Sequence, residues 1–172
     1  VGMMLLEFPP HHPFMIQGPF ATLPGRRYPT GATVEPKGVN FSIYSRHATG
    51  VELLLYERHD SPAPFQIIRL DPEIHHTFFY WHLLVLGLPT GVHFTWRMEG
   101  PKDARARGLR FDSRVELLQP CARAVNMAGW VRWRRLREGV LPHDSPRAMV
   151  IVDDYDWQGD TPLHLPPEDM VI

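Results

Sequence analysis

The stretch LGLPTGVHFTWRMEGP, residues 86–101, decides the fold class of this 172-residue chain. From Gly91 to Glu99 apolar and polar side chains alternate. Val92, Phe94, Trp96 and Met98 fall on one face of an extended segment, and His93, Thr95, Arg97 and Glu99 on the other. That is the pattern of an antiparallel strand with one buried face. Just before it, Pro89 fixes φ and Gly91 accepts a positive φ, so the chain can reverse after the apolar run of residues 78–86. The two segments are expected to pair as a β-hairpin, with Gly100 and Pro101 ending the second.

Working outward, residues 39–45 alternate in the same way and residues 51–56 do so less strictly, with residues 47–50 turning the chain between them. A further apolar segment, residues 65–70, follows the proline-containing loop of residues 61–64. Short strands at this spacing, punctuated by Gly and Pro, predict an all-β chain folded as an immunoglobulin-like β-sandwich. The two-cysteine pattern of antibody domains is absent, because Cys121 is the only cysteine. One short helix is expected over residues 112–118, where Asp112 or Ser113 can cap the start, Glu116 lies three residues after Ser113, and Pro120 stops it.

Composition bounds the partners. Hydrophobic residues make up 44% of the chain and the formal net charge is −1. There is no apolar run long enough for a membrane span, and no net charge to favour nucleic acid or an anionic membrane surface. A neutral partner such as a glucan is compatible with this balance. A single cysteine rules out an intrachain disulfide and makes the cytoplasm the expected compartment. The opening residues carry no Lys or Arg ahead of their apolar stretch and are broken by Pro9 and Pro10, unlike a signal peptide. The expected organisation is a disordered tail over residues 1–17, the sandwich over 18–125 and an irregular connector over 126–169.

No motif carries catalysis. The acidic cluster of residues 153–160 resembles an EF-hand loop counted from Asp154, with Asp156 at the third position and Gly159 at the sixth, but the twelfth is Leu165 rather than a bidentate Glu. Retaining glycosidases need two carboxyl groups about 5 Å apart across the scissile bond, and adjacent aspartates do not face each other in that way. His11–His12 and His75–His76 lack the spacing of a zinc site, and no nucleophile elbow or Walker loop is present. The basic run of residues 132–137 is short for nucleic-acid binding in a nearly neutral chain, and suits an interdomain face better. No catalytic residue, metal ligand or cofactor is expected.

Sugar contact remains open. A pyranose ring stacks its apolar face on an exposed aromatic ring while polar neighbours meet the hydroxyls. Alternation places Trp96 with Val92 and Phe94, and Trp81 with Leu83 and Val85, so both tryptophans are expected in the core. Tyr80 and His82 point the opposite way, where a partly exposed histidine is the ordinary reading for His82 and likewise for His93. Tyr80, His82 and Trp130 are therefore the candidate surface residues for an α-glucan.

Several blocks occur in a fixed order: Gly38-Val39-Asn40-Phe41-Ser42, Ser45-Arg46-His47-Ala48, Val51-Glu52-Leu53, Trp81-His82, Pro89-Thr90-Gly91 and Arg97-Met98-Glu99-Gly100-Pro101. Downstream come Phe111-Asp112, Gln119-Pro120-Cys121-Ala122-Arg123, and the run from Val150 to Trp157. Together they resemble the N-terminal domain of bacterial glycogen debranching enzymes and isoamylases, a family 48 carbohydrate-binding-module-like sandwich. The resemblance implies a glycoside hydrolase family 13 (β/α)8 barrel following in cis, carrying an aspartate nucleophile and a glutamate acid/base that cleave α-1,6 branches of glycogen or limit dextrin. Residues 170–172 would then begin the first barrel strand. The tryptophan pair, lysine and asparagine with which related modules hold glucan have no evident counterpart here. A scaffold and substrate-orienting role is accordingly expected, ahead of a self-standing glucan-binding or regulatory module and of an unrelated immunoglobulin-like interaction domain.

Overall fold

The computed structural model describes residues 19–127, 145–152, 154, 156, 158–161 and 166. The expected N-terminal tail, Trp130, the basic run of residues 132–137, Asp153, Tyr155 and Trp157 of the acidic cluster, and residues 170–172 lie outside them. The described residues form strands and no helix: β1 (Thr22–Pro24), β2 (Gly31–Glu35), β3 (Gly38–Tyr44), β4 (Gly50–Tyr56), β5 (Gln66–Arg69), β6 (His76–Thr77), β7 (Tyr80–Leu86), β8 (His93–Glu99), β9 (Val125–Asn126) and β10 (Arg147–Met149). They make two antiparallel sheets. Sheet A runs β1-β7-β3-β2, with β6 also paired to β7, and sheet B runs β5-β4-β8-β10-β9.

The all-β sandwich predicted from the alternation is thus present, and the alternating faces build its core. Val39, Phe41 and Ile43 of β3, with Trp81, Leu83 and Val85 of β7, meet Val51, Leu53 and Leu55 of β4 and Phe94, Trp96 and Met98 of β8. Phe41 sits between the sheets with its ring edge-on to Phe94 at 5.0 Å and to Trp96 at 6.4 Å. Trp96 is wholly buried, and its indole N–H donates to Gln119 Oε1 at 2.8 Å. Buried indoles usually find such an acceptor, whereas the likewise buried Trp81 has none for its N–H among the described residues.

The expected hairpin does not form. β7 lies between β1 and β3, while β8 lies between β4 and β10, so residues 87–92 carry the chain from one sheet to the other. Gly87 and Gly91 take φ of 66° and 85°, and the chain reverses where the sequence indicates. The reversal is local chemistry, but the choice of sheet is not. Two strands with matching apolar faces can lie side by side or face each other across a core, and only long-range packing decides between them.

The helix expected over residues 112–118 is also absent. Asp112 Oδ1 accepts the Arg114 amide at 3.0 Å, closing an Asx-turn, and the Asp112 carbonyl accepts the Val115 amide at 3.1 Å. The chain then extends, and Leu117 exchanges both backbone hydrogen bonds with Trp96, at 2.7 and 3.0 Å. The side chain read as a cap instead bonds locally and starts a turn, the usual competition at Asp and Ser. Beyond it, β10 pairs Ala148 with Phe94 and Met149 with His93, and Ala148 and Val150 enter the core. The sandwich therefore takes a strand from the region read as connector.

Gly38 opens β3 with φ of 154°. A Cβ there would run into the Val85 carbonyl of the neighbouring strand, whereas one on Gly87 would meet nothing. Gly38→Ala is expected to lower the urea-unfolding free energy by about 2–3 kcal/mol and Gly87→Ala by about 1 kcal/mol. Equal losses would show that close approach of β3 to β7 is not what Gly38 provides.

Candidate functional site

Sheet A exposes aromatic rings at the end where β3 finishes and β7 begins. Tyr44 and Tyr80 are register partners, with ring centroids 5.3 Å apart, and Tyr44 also packs edge-on to Phe79 at 6.0 Å. A third tyrosine comes from the loop before β2. Asn40 Oδ1 accepts the Arg26 amide at 2.8 Å, Asn40 Nδ2 donates to the Arg26 carbonyl at 3.0 Å, and Ser42 Oγ donates to the Arg27 carbonyl at 2.7 Å. These side chains clamp that loop across the polar face of β3. Tyr28 then stands beside Tyr80, rings 5.1 Å apart and hydroxyls 3.0 Å apart.

The cluster is open to solvent. Tyr28 and Tyr44 are each 53% exposed and Phe78 is 75% exposed. Arginines flank the rings, with the Arg27 guanidinium 5.4 Å from the Tyr28 ring and 5.7 Å from that of Phe78, and Arg46 5.5 Å from Phe79. The Tyr80 phenol titrates above the ordinary tyrosine range, chiefly through its hydrogen bond with Tyr28. The arrangement offers tilted tyrosine rings with hydroxyls at their edges and guanidinium groups over the Tyr28, Phe78 and Phe79 rings. Those are the groups that a pyranose needs for stacking and hydrogen bonding.

Of the residues singled out from the sequence, Tyr80 lies in this cluster. His82 does not. It is 5% exposed, its Nε2 lies 2.9 Å from Thr77 Oγ1, and its amide donates to the His75 carbonyl at 2.8 Å. The partly exposed position expected for it is taken away by the loop leading into β6, which folds over the polar face of β7. Burial, with His75 and His76 nearby, depresses its pKa. Trp81 and Trp96 are in the core as expected. Sequence reasoning missed Tyr28, Tyr44, Phe78 and Phe79. Alternation in β3 already placed Tyr44 opposite Phe41 and Ile43, but nothing local announces that a loop brings Tyr28 to the same place.

Comparison with known proteins agrees with this architecture. Residues 29–122, more than half of the chain, match the family model for carbohydrate-binding module 48, the isoamylase N-terminal domain. The chain belongs to that family. It is 36% identical over 156 residues to a glycogen debranching enzyme of Serratia proteamaculans, covering 83% of this chain and 22% of that protein. A glycogen debranching enzyme of Erwinia tasmaniensis is 32% identical over 163 residues, with 86% and 22% covered. The chain thus spans about a fifth of the length of these relatives, matching their N-terminal part. In fold it is similar to the catalytic module of the multi-modular glycogen-degrading pneumococcal virulence factor SpuA, with a TM-score of 0.51 at 20% identity, covering 72% of this chain and 16% of that one. Family membership sets aside the reading as an unrelated immunoglobulin-like domain.

Sheet B carries the other concentration of polar groups, and it is closed. On its outer face the Tyr56 hydroxyl donates to Glu116 Oε1 at 2.6 Å and Thr95 Oγ1 to Glu116 Oε2 at 2.9 Å. Ser145 Oγ donates to the Glu116 carbonyl at 2.9 Å. The Arg147 guanidinium lies 3.5 Å from the Tyr56 ring centre and donates to the Arg58 and Ser61 carbonyls, each at 2.9 Å. Burial, and then the bond to Glu116, raise the Tyr56 pKa. His93, expected to be partly exposed, is 7% exposed, and neither ring nitrogen has a hydrogen-bond partner. The His59 ring of the loop after β4 lies 6.0 Å from it, and β10 runs alongside through the Met149–His93 pair. Among the described residues no three His, Cys, Asp or Glu side chains come together as metal ligands.

Burial, with the nearby His59 and Arg147 charges, lowers the His93 pKa from 6.5 to about 4. Between those values only the unfolded chain binds the proton at this residue, so stability is lost as pH falls through the interval and regained as it rises. His75 and His82 are shifted in the same direction. His93 alone is expected to cost about 2 kcal/mol of unfolding free energy between pH 7.5 and pH 5. Urea titrations at the two pH values measure this. His93→Phe, which also removes an unpartnered buried group, should reduce the pH dependence without loss at pH 7.5. An unchanged slope in that variant would refute the assignment.

Proposed function

We propose that this chain is the accessory N-terminal domain of a glycogen debranching enzyme, acting in the cytoplasm. It serves as a scaffold that orients the α-glucan while a catalytic domain outside the chain hydrolyses α-1,6 branches. The similarity to the N-terminal part of glycogen debranching enzymes supports the first half of this reading. The observation that carries the second half is the surface group of Tyr28, Tyr44 and the half-buried Tyr80. Three aromatic rings held by strand register and by the Asn40 and Ser42 clamp are preorganised, so little side-chain entropy is lost when a sugar binds.

No bond-making chemistry is assigned to this chain. Hydrolysis with retention requires two facing carboxyl groups, and the tyrosine cluster contains none. Its contribution is positional: stacking fixes the sugar plane, and the flanking arginines and phenols fix rotation about it.

Isothermal titration of the full chain with maltoheptaose tests the reading. Binding is expected, and each of Tyr28→Ala, Tyr44→Ala and Tyr80→Ala should weaken it by about 1 kcal/mol, roughly a fivefold rise in Kd. Tyr28 and Tyr44 are each 53% exposed and Tyr80 is half-buried outside the core, so the variants should keep the parent's unfolding midpoint within a few degrees. Absence of binding, or binding indifferent to all three substitutions, would overturn the glucan-orienting role.

A further inference from the structure

A groove of about 910 Å³ opens between the end of β8 and the segment that returns to pair with it, residues 100–117. Its apolar lining includes Met98, Leu109, Phe111 and Val115. Gly100 is part of that construction, because a Cβ there would collide with the Phe111 ring that lies across it. The volume falls within the range of small-molecule sites.

Charge in the groove is unbalanced. Two of its lining acids are already engaged by guanidinium groups: Glu99 by Arg69 at 2.8 and 3.0 Å, and Asp112 by Arg114 at 2.8 and 2.9 Å. Neither arginine lines the groove. Lys102, Arg105 and Arg110 do line it, all three exposed, and among the described residues none of their side chains has an acidic partner. This local excess of positive charge occurs in a chain whose formal net charge is −1. Cations beside an apolar floor suit an anion with an apolar face, and guanidinium groups suit phosphate in particular, since their fork of donors can bind two of its oxygens.

The groove and the tyrosine cluster occupy the same end of the sandwich. Residues 45–49 link β3 to β4 there: the Ser45 amide donates to the Phe79 carbonyl at 2.8 Å, and the Thr49 amide to the Glu99 carbonyl at 2.8 Å. Thr49 Oγ1 also donates to the Gly100 carbonyl at 3.1 Å. Arg46 of that link covers Phe79, and His47 lies 3.5 Å from Arg107 in the segment framing the groove.

We infer that this groove binds a phosphate monoester carried on a sugar, with the pyranose against the apolar floor and the phosphate at Lys102, Arg105 and Arg110. The phosphate half stands on the groove alone, and the sugar half rests on the glucan reading given above.

The test is calorimetric titration of the full chain at 150 mM salt with glucose 6-phosphate, glucose, inorganic phosphate and an acidic peptide such as oligoglutamate. Glucose 6-phosphate is expected to bind at least tenfold more tightly than glucose or inorganic phosphate. The exposed triple variant Lys102→Gln/Arg105→Gln/Arg110→Gln should lose at least tenfold of that affinity while keeping its unfolding midpoint and its response to maltoheptaose. Equal binding of glucose, equal binding of inorganic phosphate, preference for the acidic peptide, or indifference to the triple variant would each overturn the inference. Maltoheptaose binding that is indifferent to the tyrosine variants, with glucose 6-phosphate binding intact and sensitive to the triple variant, overturns the tyrosine reading while supporting this one, so the two readings fail separately.

Discussion

The buried carboxylate of Glu116 governs how the two outer faces of this sandwich differ. It accepts hydroxyl protons from Tyr56 on β4 and Thr95 on β8, and its own carbonyl holds Ser145 just before β10. A carboxylate away from water is tolerated only when its lone pairs are occupied in this way. The consequence is a return segment pinned over sheet B at Tyr56 and Thr95, both of them buried. Arg147 completes the closure, with its guanidinium on the Tyr56 ring and its donors on the loop after β4. Sheet B is therefore buried on both sides along half the length of β8. Among the described residues no such segment covers the end of sheet A where its tyrosines lie, and that asymmetry leaves Tyr28 and Tyr44 half open to solvent.

The same asymmetry explains which features were legible in the sequence. Period-two alternation marks a strand with one wet face, and it located β3, β4 and β8 and put Trp81 and Trp96 in the core, while an apolar segment after a proline-containing loop marked β5. The inward face of β8 behaved as its pattern says. Its other face misleads, because His93 and Thr95 are polar residues satisfied or sheltered by segments more than twenty residues away. His82 misleads for a related reason, being polar by composition and buried by a neighbouring loop. Sequence polarity records what a side chain tolerates, whereas burial depends on what long-range contacts lay over it.

Turn chemistry had a similar limit. Pro89 and Gly91 mark a reversal, and one occurs, but a reversal between sheets and a reversal within a sheet use the same residues. Asp112 and Ser113 resemble a helix cap, and Asp112 does bind a backbone amide, but it closes an Asx-turn instead of opening a helix. In both places the local conformation is right and the element built from it is wrong. Tyr28 is the corresponding case for the site. Its position depends on Asn40 and Ser42 gripping the backbone of residues 26–27, a contact between segments that no spacing rule anticipates.

An antiparallel sandwich presents its loops at two ends, and here one end gathers the features suited to ligands. The link from β3 to β4 is tied by backbone bonds to Phe79 on one side and to Glu99 on the other. It therefore holds the aromatic cluster and the cationic groove in a fixed relation through the rigid ends of β3, β4, β7 and β8. The two carboxylates that line the groove, Glu99 and Asp112, are each held by an arginine outside it. What rigid placement can do is restrict the orientations that a flexible glucan adopts beside a catalytic domain, and restricting orientation is itself a large part of lowering a reaction barrier. The proposed orienting role requires contact residues that sit on strands rather than on free loops. Tyr44 and Tyr80 meet that condition, since strand register fixes both and each belongs to a sheet whose opposite face is the core.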